Sequence, residues 1–454
     1  MEKTKIEEKK LYDLNLSQDV VALQCKYTLN KNVINILASM TSEEPLDWQI
    51  LLRAINKCIE RNDCLRLRFV KKDKKLMQYF IDEDKITKVP YYEFATKEEF
   101  DEFMRKYRKK DIKYLKGNVI EPLFIKTHEG KDMLLLKVCH LILDVYGLGN
   151  LFKDIFAVYE ALKNKTELPE KPADFEDVLV EDLKRKFNTE YQEKNKQYFK
   201  EFLESHEEPW YAGIHGADNK YWQKRLKKGK RTMQLFLINN QVEAHEMTIS
   251  KEIMDKVVAY CEKIKESPAN FLFYVCSVCA SMINNKVPNM LPLELYNCRT
   301  TGDSKLCAGT KVQSLACYTT VDYSKSFKEN LATFCADQRS LYRHIGFADG
   351  EYEALRNSIY GNSMLETFYS ITFSFIPYDF PKGYSYYMYS NGNAALPAYI
   401  AFLYSLSEGS AIVAYDCHTK TTSYEDVKTF HEKYLKLIET FIDNSNIVLD
   451  EVKL

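Results

Sequence analysis

The feature that most constrains the fold is the segment CHLILDVYG at positions 139–147, where a histidine is followed four residues later by an aspartate. A largely apolar run, Met133 to Val138, precedes this segment, and the amphipathic stretch Leu148 to Lys163 follows it. This order predicts a buried strand, a tight turn and a helix, with the imidazole of His140 facing a cleft. An imidazole with an ordinary pKa of about 6.5 can accept a proton from an amine or alcohol at neutral pH. The HxxxD pattern also arises by chance, and a hydrogen-bonded core histidine is the alternative interpretation.

Composition and charge narrow the class of protein. The chain has 454 residues, with 64 Lys and Arg against 65 Asp and Glu, which gives no reason to expect a nucleic-acid partner. The start, MEKTKIEEKK, lacks the apolar region of a signal peptide, and the longest nearly apolar stretch, 271–283, is too short for a membrane span. We therefore expect a cytoplasmic protein without a membrane span.

The cysteines favour reduced thiols over a metal site. Most of the 12 cysteines are scattered through apolar segments. Cys276 and Cys279 form a CxxC pair, but no second Cys or His pair lies nearby in the sequence. We predict core packing for these two residues and no metal centre.

Helix-like and strand-like segments alternate in both halves of the chain, which predicts an α/β fold. A proline- and charge-rich stretch, 164–175, marks a domain boundary. We predict one domain over 1–180 and another over 181–454. Residues 206–232 are predicted to form an exposed loop.

Several blocks, in order, resemble the condensation domains of nonribosomal peptide synthetases, which belong to the chloramphenicol-acetyltransferase-like superfamily. RNDCLRLRF at 61–69 resembles the family's RHExLRTxF block, and CHLILDVYG at 139–147 resembles HHxxxDGxS. NCRT at 297–300 is similar to the NRT block, and GTKVQSLAC at 309–317 matches GxFVNTLPL in length. The resemblance implies two similar lobes, 1–180 with the HxxxD motif and 181–454. These would form a V-shaped pseudo-dimer with the active-site tunnel at their interface. The length is that of one such domain, which predicts a stand-alone enzyme.

The resemblance also implies roles for individual residues. His140 would be the catalytic base, and Asp144 would be structural, forming a salt bridge with Arg299 or, as the second choice, with Arg66. The remaining candidates are expected to line the substrate tunnel: Cys139, Tyr146, Gly147, Gln313 and Ser314.

Three positions of the segment 139–147 carry alternatives or depart from the family pattern. Cys139 replaces the first His of the motif, and we interpret it as packing because adjacent strand residues point to opposite faces. Val145 stands where the family has Gly, and Gly147 comes two residues later. Tyr146 could equally be an ordinary packing residue.

The implied reaction is acyl transfer from a phosphopantetheine thioester on an acyl or peptidyl carrier protein to a small amine, forming an amide. One alternative is a coenzyme-A-dependent O- or N-acyltransferase, with acyl-CoA as donor and a small amine or alcohol as acceptor. Another is a catalytically silent domain that binds a carrier protein. For both transferases the thioester is a substrate, and no tightly bound cofactor is expected. Two basic runs, Arg105 to Lys110 and Lys224 to Arg231, could dock an acidic partner or simply face solvent.

Overall fold

A computed structural model describes residues 9–238 and 240–454. Most of the charged start, from which the absence of a signal peptide was predicted, lies outside these residues. In the described part, none of the helices has both the length and the apolar character that crossing a membrane requires.

Helices and strands are mixed along the whole described chain. The helices are α1 (Leu16–Tyr27), α2 (Trp48–Arg61), α3 (Lys97–Tyr107), α4 (Val145–Asn164), α5 (Phe175–Lys186), α6 (Thr189–Glu204), α7 (Lys220–Leu226), α8 (Lys251–Ile264), α9 (Pro268–Ile283), α10 (Gly302–Leu306), α11 (Phe327–Tyr342), α12 (Asp349–Tyr360) and α13 (Tyr424–Asp443). The strands are β1 (Asn35–Ser42), β2 (Leu67–Lys72), β3 (Lys75–Phe80), β4 (Tyr91–Glu93), β5 (Ile120–Lys126), β6 (Asp132–Cys139), β7 (Met233–Gln234), β8 (Val242–Ile249), β9 (Asn289–Met290), β10 (Leu293–Tyr296), β11 (Gln313–Ala316), β12 (Thr319–Thr320), β13 (Glu366–Thr367), β14 (Thr372–Tyr378), β15 (Tyr384–Tyr389), β16 (Ala398–Ser405) and β17 (Ala411–His418).

The chain forms two compact units, and both are discontinuous in sequence. The first contains the described residues up to Asn188, together with Asn297–Val312 and Phe380–Asn393. The second contains Thr189–Tyr296, Gln313–Asp379 and Ala394–Leu454. The sequence analysis divided the chain once, at residue 180, because local patterns do not show that a distant segment returns to an earlier sheet. That each unit is an acyltransferase-like lobe stays a prediction.

The first unit is organised around a five-stranded sheet with the order β15-β1-β6-β5-β4. β6 lies at its centre and pairs antiparallel with β1 and β5, with Val138 opposite both Ile36 and Ile120. All eight residues of β6 are buried, which explains its nearly continuous apolar sequence. Helix α4 follows β6, and its apolar stripe, which includes Leu148, Leu151 and Phe152, belongs to the same core.

The second unit contains a six-stranded sheet with the order β11-β10-β14-β16-β17-β8. Its helix α9 is buried from Asn270 to Ser281. Cys276 and Cys279 lie in this helix, and burial raises the pKa of the Cys276 thiol well above its usual value. Burial also raises the pKa of the Cys279 thiol, so both thiols stay protonated in the core.

The prediction of an exposed loop over 206–232 is wrong. The segment includes helix α7, and its Tyr211 and Trp222 form a small buried cluster with Met233, the residue that follows the segment. The prediction relied on the average polarity of the segment, which is high because of its many lysines, and this average does not show that a few aromatic residues are buried.

Candidate active site

A strand, a turn and a helix position the HxxxD residues. β6 ends at Cys139, and the N–H of His140 donates to the carbonyl of Ile34 at 2.8 Å. The chain then turns, with the N–H of Ile142 donating to Cys139 at 3.0 Å. Asp144 caps the N-terminus of α4 by accepting the N–H of Gly147 at 2.7 Å. An aspartate is favoured here because it accepts a free N–H and complements the helix dipole.

The carboxylate of Asp144 is the centre of a buried network. Arg299 donates to both of its oxygens, from Nη1 at 2.8 Å and from Nη2 at 2.9 Å. The backbone N–H groups of Lys311 and Val312 donate to Oδ2 at 2.8 Å and 3.0 Å. The side chains of Arg299 and Asp144 are 0% and 2% exposed. The HxxxD turn is therefore tied to the segment Asn297–Val312 of the same unit.

Both members of this ion pair keep their charge. Burial alone would raise the pKa of Asp144, but the charge and hydrogen bonds of Arg299 and the backbone N–H groups lower it below its usual value. Burial alone would lower the pKa of Arg299, but the carboxylate of Asp144 raises it. Arg299 also donates from Nη2 to the carbonyl of Gly309 at 2.6 Å.

His140 is partly buried and uncharged at neutral pH. Burial lowers the pKa of its imidazole, and the charge of Asp144 offsets only part of this effect. Its Nδ1 is buried and has no hydrogen-bond partner among the described residues. The backbone carbonyl of His140 accepts the hydroxyl of Thr310 at 2.7 Å, which fixes the turn. A neutral ring on a fixed turn can act as a proton acceptor.

Arg66, the second choice as partner of Asp144, lies elsewhere in the first unit. Its guanidinium donates to the carbonyls of Ile59 and Glu60 at 2.6 Å and 2.7 Å. These are carbonyls of the last turn of α2, which have no partners within the helix. Arg66 thus closes a helix end, and Asp144 pairs with Arg299.

Cys139 is buried in the core and Tyr146 is half-buried beside Arg299, and a part of either residue in a substrate tunnel stays a prediction. The Cys139 side chain is completely buried, and burial raises the pKa of its thiol to about 12. The thiol is therefore protonated at neutral pH and is not a nucleophile of the usual activated kind. The ring of Tyr146 lies 4.7 Å from the guanidinium of Arg299, within the range of a cation–π contact.

Gly147 is required for close packing. A Cβ at this position would lie 1.6 Å from the carbonyl oxygen of Ala308. The turn itself needs no glycine at position 145, because Asp144 is extended (φ −96°, ψ 179°) and Val145 starts the helix. The displaced glycine therefore serves the contact with the Ala308 backbone.

Gln313 and Ser314 belong to the second unit, on β11. Gln313 is buried, and its Oε1 accepts the N–H of Gly346 at 3.1 Å. Ser314 is partly exposed and lies opposite Leu295 of β10. Their part in a substrate tunnel stays a prediction.

The sequence analysis missed three residues of the site, Thr310, Lys311 and Val312. Thr310 holds the carbonyl of His140, and Lys311 gives its N–H to Asp144 while its Nζ pairs with Asp182 at 2.7 Å. The family resemblance of the block 309–317 indicated that this region belongs to the site, but it did not show which residues contact Asp144. No cluster of three or more His, Cys, Asp or Glu side chains suited to a metal ion occurs in 9–238 and 240–454.

Comparison with known proteins identifies related sequences and folds. A sequence profile of the family described as Condensation domain matches residues 8–375. One of the subunits of plipastatin synthase from Bacillus subtilis (strain 168) is 20% identical over 434 residues. That alignment covers 93% of this chain but 16% of the relative, so the chain spans only a small part of that protein.

Solved structures of condensation domains share the fold. A variant of the starter condensation domain of rhizomide synthetase RzmA, in complex with C8-CoA, has a TM-score of 0.83 at 15% identity, covering 99% of both chains. The first condensation domain of the calcium-dependent antibiotic synthetase, in complex with substrate analogue 3a, has a TM-score of 0.79 at 13% identity, covering 98% of this chain and 99% of that one. The predicted mixed α/β fold of the condensation type is thereby confirmed.

Proposed function

The chain belongs to the Condensation domain family, whose members are acyltransferase-type enzymes, and on that premise we propose that it transfers an acyl group from a phosphopantetheine thioester to an amine. His140 acts as the general base. The donor thioester is carried by an acyl or peptidyl carrier protein, and the product is an amide. The stand-alone arrangement and the cytoplasmic location inferred from the sequence stay predictions.

The observation that carries this proposal is the uncharged, partly exposed imidazole of His140 on a turn fixed by the Asp144–Arg299 pair. Burial keeps the pKa of the ring below its usual value, so the ring can accept a proton at neutral pH. The ion pair and the hydroxyl of Thr310 hold the turn in place. A base must be within hydrogen-bond reach of the proton it accepts, and a rigid turn supplies that placement.

The proposed step is an aminolysis. The acceptor nitrogen attacks the thioester carbonyl, a C–N bond forms, and the C–S bond breaks to release the pantetheine thiol. His140 takes the proton that the nitrogen loses and returns it to the departing sulfur. General-base assistance contributes about 10²–10⁴-fold, and holding donor and acceptor together can lower the barrier by roughly 7–11 kcal/mol. A residual rate without the imidazole is therefore expected.

A coenzyme A donor is the second candidate. It is favoured by the C8-CoA found in a variant of the RzmA starter condensation domain and, with Leu-SNAC, in a further variant of that protein. Coenzyme A and carrier proteins present the same pantetheine arm, so the chemistry at His140 would be the same. The difference lies in how the remainder of the donor is recognised.

The test compares octanoyl-CoA and an octanoyl carrier protein as donors, with a panel of small amines and alcohols as acceptors. His140→Ala should lower the rate by about 10²–10⁴-fold on the true donor. His128→Ala is the matched control, because His128 is exposed in the turn that leads into β6. A preference for octanoyl-CoA would select the second candidate. Carrier binding without transfer of any acyl group would contradict both and indicate a silent domain.

A further inference from the structure

The second unit contains a groove that the chemistry at His140 does not use. Its volume is about 400 Å³, which lies within the range of about 300–1,000 Å³ typical of small-molecule sites. Most of its walls are apolar. The principal apolar residues are Tyr221, Met233, Leu235, Phe236, Ile238 and Leu365.

The backbone fixes the walls of this groove. The N–H of Leu235 donates to the carbonyl of Leu365 at 2.9 Å, and the N–H of Phe236 donates to Ala395 at 3.1 Å. The ring of Phe236 stacks on His418 with 3.6 Å between centroids. The groove is therefore preformed, which reduces the ordering cost of binding.

Several apolar side chains at the groove remain uncovered. Ile238 is 70% exposed, Leu365 is 54% exposed and Tyr221 is 45% exposed. Single exposed apolar residues are common, but a group of them around a concave surface marks a binding site. An occupant with an apolar body would bury them.

The charge of the groove is positive. Arg225 and Lys420 line it, and no acidic side chain of the described chain does. Arg225 is already paired with Glu366 and donates to the carbonyl of Thr232 at 2.9 Å. Lys420 is exposed and has no ion-pair partner among the described residues. One lining cation is thus available to a ligand.

The basic run noted in the sequence lies beside this groove. It begins at Lys224, whose Nζ is 5.8 Å from the ring of Tyr221 in the groove wall. Its lysines 227 and 228 are exposed and form no ion pair within the part of the chain that the structure describes. The lysines of the run that form no ion pair add positive potential near the groove and favour an anionic ligand over a neutral or cationic one.

We propose that this groove binds a single-chain aliphatic carboxylate. The chain lies on Leu235, Phe236 and Leu365, and the carboxylate pairs with Lys420. Lys420 is the one lining cation without an ion-pair partner among the described residues, and it matches the single negative charge of a carboxylate. The groove volume of about 400 Å³ is sufficient for one such molecule. This site goes beyond the proposed acyl transfer and does not depend on it.

The test is isothermal titration calorimetry of the full chain with decanoate below its micellar range. Decanol and decyltrimethylammonium serve as uncharged and cationic probes of the same chain length. Lys420→Glu should weaken decanoate binding by about threefold to tenfold through loss and reversal of charge. Leu365→Asp should weaken it by about tenfold or more, because the chain loses apolar contact.

Matched variants on the same unit provide the controls. Leu406→Asp changes a side chain that is 56% exposed outside the groove, and Lys263→Glu changes an exposed lysine near the end of α8. Both should bind decanoate like the parent chain. Equal binding by Leu365→Asp and Leu406→Asp would overturn the proposal, and so would decyltrimethylammonium binding as tightly as decanoate. Loss of decanoate binding in His140→Ala would overturn it as well, because the ligand would then lie in the other unit.

Discussion

Replacing Asp144 by Asn tests whether the ion pair holds the HxxxD turn in place. The substitution keeps the size of the side chain and removes its negative charge. Arg299, 0% exposed at its side chain, would then be buried without a counter-ion. The new NH₂ group would also face N–H donors, because Lys311 and Val312 both donate to Oδ2 of Asp144.

The expected cost follows from these contacts. Removing one partner of a buried pair costs about 3–5 kcal/mol, because the remaining charge is uncompensated. Each buried N–H left without an acceptor costs about 1–3 kcal/mol more. The total cost of Asp144→Asn should therefore lie in the upper part of the range of about 3–5 kcal/mol. At roughly 2–4 °C per kcal/mol for a unit of 150–250 residues, a cost of about 4–5 kcal/mol should lower Tm by roughly 8–20 °C.

Differential scanning calorimetry measures this loss, with Asp47→Asn as the matched control. Asp47 caps α2 and is exposed, and Asn is an equally good N-cap, so the control should shift Tm by little. The pKa of Asp144 is lowered in the folded chain, so its stabilisation is complete above about pH 4 and is lost as pH falls through the folded value. The difference in Tm should therefore shrink in acid. An unchanged Tm together with unchanged transfer activity at pH 7 would refute the structural role of Asp144.

Three further predictions concern the same turn. Gly147→Ala should lower the free energy of unfolding by about 1–3 kcal/mol or more, because the new Cβ meets the Ala308 backbone. Gly149→Ala, in the same helix, has free space for its Cβ and should raise the free energy of unfolding by about 0.5–1 kcal/mol. Equal shifts in thermal unfolding would contradict the close contact at Gly147. The acid limb of kcat/KM should have its midpoint below pH 6.5, because burial lowers the pKa of His140 and the neutral form is the base, and His140→Ala should remove this limb. Cys139→Ala should keep kcat/KM within about threefold, since a thiol with a pKa of about 12 is protonated; a loss of 10²-fold or more would make Cys139 a participant.

Local patterns were sufficient to predict the elements around His140. The apolar run before His140 predicted the strand β6, because a fully buried strand is almost continuously apolar. The apolar stripe after His140 predicted the helix α4, because its buried residues recur with the helical period. The pairing of Asp144 with Arg299 spans 155 residues, and only the ordered family blocks suggested it. Arg66 was a reasonable rival, since nothing in its sequence context shows that its guanidinium closes the end of α2.

Other features could not be predicted because they depend on backbone groups or distant pairing. Lys311 and Val312 contribute N–H groups to Asp144, and every residue except proline carries an N–H. Segment 380–393 joins the first unit because β15 pairs with β1, with Tyr389 opposite Leu37. Hydrophobic periodicity is a local signal and does not show the sheet in which a strand lies.

The departures from the family motif fall on positions that do not build the ion pair. Cys139 is buried in the core before the turn, and Val145 starts α4 after an extended Asp144. The network consists of Asp144, Arg299 and backbone N–H groups, which these two side chains leave unchanged. Gly147 supplies the close approach to Ala308 from a position two residues beyond the family's glycine. The turn can therefore tolerate Cys139 and Val145 while keeping the geometry that a base at His140 requires.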